Sequence, residues 1–240
     1  MSRQNVLISA TIGLFCLLAV GPAWGFSVNK SISIEAGAQT DGQSSVNGSI
    51  TIGTGAVVAG SVETVNGAIR IDDDVTVEEA STVNGSIRIG SNLKSEDISS
   101  VNGSIRIGTN AAIDGEVSVV NGKIELGKGS TVSRDVSNVN GEISIHGTEI
   151  GGDLSTVTGD IWLTDESTLR GDLVIQKPGG WGWGRDRRKP RIVIGPGSRV
   201  LGTIQAEREI ELFIHETAEV HAVAGEVGLD DAVRFSGDSP

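Results

Sequence analysis

Tyrosine is absent from the 240 residues, aromatic side chains make up 3%, and there is one cysteine. Such a composition, with 34 glycines, would suit disorder if the apolar residues were scattered, but they are rich in Ile and Val and evenly spaced. The lone Cys16 lies in the N-terminal apolar run, so a chain that has lost its leader has no thiol to form a disulfide, even in an oxidising compartment. Packing and backbone pairing must then carry the stability.

Basic charge is also scarce. The 19 Lys and Arg face 31 Asp and Glu, a net charge of -12; removing residues 1–25 takes away Arg3 and no acid, which leaves -13. Such a chain is a poor nucleic-acid binder. Long apolar runs are missing too. The run from Val6 to Val20 is only about 15 residues, short of the roughly 20 that cross a bilayer. Arg3 precedes it and Gly21, Pro22, Ala23 and Gly25 follow, the layout of a secretory signal cleaved after Gly25. Phe15 stands before Cys16 where a lipoprotein signal wants a small residue, so no lipid anchor is expected. The chain is read as exported, periplasmic or extracellular and associated with the envelope, with no membrane span once the signal is gone.

What the sequence does have is a repeat. Val-Asn-Gly-x-Ile-x-Ile, with a few swaps such as Thr158 for Asn, begins at Val46, Val65, Val83, Val101, Val120, Val139 and Val157, at intervals of 18 or 19 residues. A degenerate copy starts at Val28, and Ile192-Val193-Ile194 and Ile210-Glu211-Leu212 keep a spacing of 18 downstream. Within the coil from Val101, apolar residues recur at Ile105, Ile107, Ala111, Ile113 and Val117 before Val120. Pairs two apart mean strands with one face in and one out, and pairs about six apart mean three short strands per coil. The result is an all-β, single-stranded parallel β-helix, a triangular solenoid of about ten coils in which each side chain stacks on its equivalent one coil away. Ile50, Ile69, Ile87, Ile105, Ile124, Ile143 and Ile161 then form a nested β-branched ladder, with the Val and Ile of the repeat as core. The division is a signal at 1–25, a solenoid at 26–225 and a cap or tail at 226–240.

Asn47, Asn66, Asn84, Asn102, Asn121 and Asn140 are expected to turn corners, since Asn and Gly tolerate positive φ and stacked amides can hydrogen-bond from coil to coil. Three of these corners match the N-glycosylation pattern, which the Ala68, Lys123 and Glu142 of other coils mark as incidental. Arg70, Arg88 and Arg106 fall between inward Ile residues and form an outward column, a candidate site for an acidic glycan or lipid headgroup unless Asp72, Asp73, Asp74, Glu78 and Glu79 neutralise it. Residues 176–191 break the repeat where a Val-Asn-Gly corner is due and read as a protruding insertion. Trp181, Trp183, Arg185, Arg187, Arg188, Lys189 and Arg191 are gathered there, a candidate partner contact set against the alternative of a solvated linker.

No catalytic or metal-ligand pattern surrounds His146, His215 or His221, although His215 and His221 could meet on neighbouring turns, and no cofactor is expected. The stretches Ile107 to Val117 and Ile194 to Ile204, with an Ile-Gly-x-x-x-x-(Ile/Val)-x-Gly-x-(Val/Ile) cadence, resemble the bactofilins, polymer-forming β-helical cytoskeletal proteins of bacteria. The Val-Asn-Gly-x-Ile corners also look like those of bacterial adhesin solenoids. The bactofilin likeness implies a non-enzymatic rod assembling end to end through open terminal coils; bactofilins are cytoplasmic, whereas this leader directs export. The expected function is a structural or adhesive envelope module that contacts itself or an envelope glycan or protein. The alternatives are a carbohydrate-active enzyme or a hexapeptide-type acyltransferase on a β-helix.

Overall fold

In a computed structural model the described residues are 25–178, 188–237 and 239–240, so the signal sequence before Gly25 lies outside them. Each coil contributes three strand segments, such as Ile105–Ile107, Ala112–Ile113 and Val117–Asn121. Every pairing is parallel and joins a segment to its counterpart one coil away. The Ile-x-Ile segments make an 11-stranded sheet, the first face of a triangular solenoid. The other two segments share a 16-stranded sheet that wraps two faces, continuous through a β-bulge in long strands such as Val57–Asn66. Eleven stacked strands make ten coil steps, a rod of about 48 Å at the usual strand separation of about 4.8 Å.

The first-face register follows the repeat: Ile50, Ile69, Ile87, Ile105, Ile124, Ile143 and Ile161 pair in succession, and each is fully buried. The next step joins Ile161 to Ile192 across the insertion. Ile192 then pairs with Leu212, so the last coils lengthen to 20 residues and Ile210 is not its partner, contrary to the spacing of 18 read from the sequence. The segment 226–240 adds a short 3-10 turn, Leu229–Asp231, and a final strand, Val233–Phe235, on the first face.

A second correction concerns the valine that opens each repeat. In Val57–Asn66 the inward residues are Val58, Val62 and Thr64, while Val65 alternates outward. The same holds in every clear copy: Val46, Val65, Val83, Val101, Val120, Val139 and Val157 are half-buried on the outer surface of the third face. The core position is the residue before each: Ser45, Thr64, Thr82, Ser100, Val119, Asn138 and Thr156. A buried hydroxyl costs free energy unless it is bonded. Ser45, Thr64, Thr82 and Ser100 donate to the corner carbonyls of Lys30, Gly48, Gly67 and Gly85 one coil back, at 2.9 to 3.1 Å.

The corners also divide their labour differently from the expectation. None of the six asparagines has positive φ. Left-handed backbone recurs chiefly at the corner after Ile-x-Ile, where Gly55, Asp74, Asn92, Asn110 and Gly129 follow one another along the rod; at the Val-Asn-Gly corner positive φ falls on Gly141 and, in the degenerate first copy, on Asn29. At the Val-Asn-Gly corner glycine is required by close approach: a Cβ on Gly103 would stand 1.7 Å from the Gly85 carbonyl oxygen, and on Gly85 1.8 Å from that of Gly67.

Candidate functional surfaces

The asparagines form a continuous column. Nδ2 of Asn47, Asn66, Asn84, Asn102, Asn121 and Asn140 each donates to Oδ1 of the equivalent asparagine one coil back, at 2.7 to 3.0 Å, the first acceptor being Asn29. Each inner amide thus spends one donor and its oxygen on its neighbours.

Immediately before the heptapeptide lies a pattern that reading from Val onward overlooks. Glu79-Ala80-Ser81, Asp97-Ile98-Ser99, Glu116-Val117-Ser118, Asp135-Val136-Ser137 and Asp153-Leu154-Ser155 repeat acid, apolar residue and serine, and Asp172 continues the acid column. Oδ1 of Asp97, Asp135, Asp153 and Asp172 accepts the backbone N–H of the next coil, from Glu116, Asp153, Asp172 and Thr203, at 2.7 to 2.8 Å. Glu79 and Glu116 occupy the same column. Burial pushes both carboxyls above the usual range, Asp97 pushes both further, and Asp135 adds to Glu116. Glu63, raised chiefly by burial and then by Glu79, stands beside them. The third face therefore presents parallel outward columns of acid, serine and valine.

On the first face the outward column runs Thr51, Arg70, Arg88, Arg106, Glu125, Ser144, Trp162, Val193 and Phe213. The three arginines are exposed. Arg70 pairs with Asp72 at 3.2 Å, and Arg106 pairs with Glu125 of the next coil at 2.7 Å, a partner absent from the acids named from sequence. Arg88, between them, has no ion pair among the described residues. A shallow depression of about 310 Å³ opens here, lined by the three arginines with Thr54, Asp72 and Asp73.

The insertion leaves the third face after Leu173–Ile175 and rejoins the first face at Arg191–Ile194, the place of a missing Val-Asn-Gly corner. Trp181, Trp183, Arg185 and Arg187 lie outside the described residues. Lys177 donates its backbone N–H to Glu207 at 3.1 Å. The returning arm is held to the rod: Arg188 pairs with Asp160, and Lys189 pairs with Glu209 at 3.1 Å. Arg191 gives its backbone N–H to Asp160 at 2.8 Å. Its guanidinium lies 5.7 Å from the Trp162 ring centre and 4.5 Å from that of Phe213. Its Nε is buried with no hydrogen-bond partner, while Nη2 donates to the Pro240 carbonyl at 3.4 Å. Val193, which stands between Trp162 and Phe213 in the outward column, is 1% exposed.

The histidines stand apart. His146 contacts Thr164 and Asp165. His215 is buried beside Thr217 and edge-on to Phe235 on the first face, and His221 is exposed in Glu219–Gly225 of the other sheet. Among the described residues no three His, Cys, Asp or Glu side chains are grouped to hold a metal ion, and no helix is long and apolar enough to cross a membrane.

Columns of identical groups stacked along three faces define a parallel β-solenoid whose surface chemistry is linear. Compared with protein-family models, curated proteins and solved structures, the chain matches none.

Proposed function

We propose that the chain is a non-enzymatic, exported structural or adhesive module of the bacterial envelope that lies along an envelope polymer. The observation that carries this reading is the outward valine column, seven residues long and unbroken, with serines beside it from Ser81 to Ser155. A contiguous apolar strip on a water-facing sheet marks a contact surface. At about 4.8 Å per coil the strip is about 29 Å long, and at a width of about 10 Å it covers about 300 Å². That is well below the roughly 800 Å² per partner of a stable protein pair, and it has the proportions of an extended strand. Valine methyls suit the C–H faces of sugar rings and serine hydroxyls suit their O–H groups. The adjoining acid column favours a neutral stretch of polymer over a polyanion.

The bactofilin resemblance supplies the finer part of the reading, a rod whose open terminal coils assemble end to end. In sedimentation the purified mature chain is expected as a monomer or small oligomer; long filaments would move the reading to a bactofilin-like polymer. Co-sedimentation with purified cell-wall sacculi tests the adhesive part. Replacing Val83, Val101 and Val120 together by Ser should cut the bound fraction several-fold, and unchanged binding would remove the valine column from the account.

A further inference from the structure

We infer that the depression around Arg88 binds a single acidic sugar unit, a uronate or similar carboxylated ring, independently of the valine column on the third face. Three guanidinium-bearing residues stand in register on successive coils, about 4.8 Å apart. Their charges are unequally satisfied. Arg70 is held by Asp72 and Arg106 by Glu125, whereas Arg88 has no carboxylate at ion-pair distance among the described residues. The middle of the column is thus an exposed fork of N–H donors with no anion to accept from it, flanked by two cations already compensated. A planar carboxylate is the natural match for that fork.

The rest of the lining decides what else the ligand carries. Asp72 uses one carboxylate oxygen on Arg70, and Asp73 uses one on the backbone N–H of Ser91, at 2.6 Å. The second oxygen of each is left as an acceptor at the edge of the same depression, and Thr54 adds a hydroxyl. Two carboxylates so close disfavour a ligand that concentrates several anionic groups within the depression, such as an oligophosphate, and admit a chain that places one carboxylate there. Because each is already partly compensated, its remaining lone pairs suit neutral O–H donors better than a full ammonium group. One carboxylate with hydroxyls around it is an acidic monosaccharide. The volume of about 310 Å³ is at the lower end of ligand sites, enough for one ring and open to neighbouring units of a chain.

Titration calorimetry of the purified mature chain with a galacturonate tetrasaccharide tests this, with 15N spectra of the arginine side chains to locate contact. Binding should shift the Arg88 Nε–H signal, and Arg88→Gln should weaken affinity about tenfold, the scale of one lost charge-assisted contact. Arg106→Gln, already paired in the free chain, should weaken it less. The fully methyl-esterified tetrasaccharide should not bind. Arg88 is exposed, so melting of Arg88→Gln should match the parent and exclude misfolding. Equal binding by Arg88→Gln, equal binding of the methyl ester, competition by inorganic phosphate at the same concentration, or preferential binding to phosphatidylethanolamine vesicles would each overturn the proposal. Loss of sacculus binding in the valine variant with tetrasaccharide binding intact would leave both sites standing as separate.

Discussion

The outward column of the first face can be compared with itself along the rod. From Thr51 to Ser144 it is polar and open, with Arg70, Arg88 and Arg106 in solvent. From Trp162 to Phe213 the same register carries Trp, Val and Phe, and the arm of the insertion folds Arg191 over them. The parallel register of the face is common to both halves, so the difference lies in the outward side chains and in the insertion whose arm returns over them. Arginine on the open half is held only at its neighbours and is available to a ligand; arginine on the closed half is committed to the fold. Of the predicted partner contact, Arg188, Lys189 and Arg191 lie among the described residues, and each makes a contact within the solenoid, with Asp160, with Glu209 and with the Trp162 and Phe213 rings.

Exchanging residues between the halves should break this contrast most sharply. Val193→Arg places an uncompensated cation at the buried position between Trp162 and Phe213 and should cost about 3 kcal/mol in urea unfolding. Arg88→Val, on the open half, should change stability by no more than about 0.5 kcal/mol. Similar effects at the two positions would refute the distinction. Arg191→Ala removes the guanidinium from both rings, at an expected 1–2 kcal/mol (about 1.5) by thermal unfolding, and Arg191→Lys should restore only part because an ammonium cannot stack as a plane.

The smallest effect belongs to the third face. Glu79 and Glu116 have folded-state pKa values raised by burial and by acidic neighbours, so the native chain holds more protons than the unfolded one just above the ordinary carboxylate range. Stability should therefore fall as pH rises through that window. Glu79→Gln with Glu116→Gln should flatten the dependence and gain about 0.5 kcal/mol at neutral pH, a modest figure because both groups are partly solvated. A variant less stable than the parent at neutral pH would contradict the sign.

Much of the fold is legible in the sequence because a period of 18 or 19 residues with inward Ile at fixed offsets admits few other objects. The isoleucine ladder and the place of the insertion follow from that period. What escapes it is phase. Val65 and Thr64 differ by one residue, and that single step reverses inside and outside in a strand. Hydrophobicity favours Val for the core, but the buried threonine has a corner carbonyl one coil back to bond, so the polar residue goes in and the valine goes out. The acid column was equally present in sequence, as acid-apolar-Ser before each Val-Asn-Gly, and is missed only when the repeat is taken to start at Val. Glu125 holds the place of Arg106 one coil on, so that pairing follows from the repeat, whereas docking of Arg191 falls where the repeat has lapsed and needs the register of the folded chain.

The assignment of the repeat's valine to the outer surface underlies the proposed adhesive face, and it can be measured directly because the only cysteine precedes residue 26. Val101→Cys and Ser100→Cys, each made in the mature chain, differ by one position. Under native conditions a thiol reagent should label Val101→Cys rapidly and Ser100→Cys only after unfolding. Rapid native labelling of Ser100→Cys with protection of Val101→Cys would contradict the account.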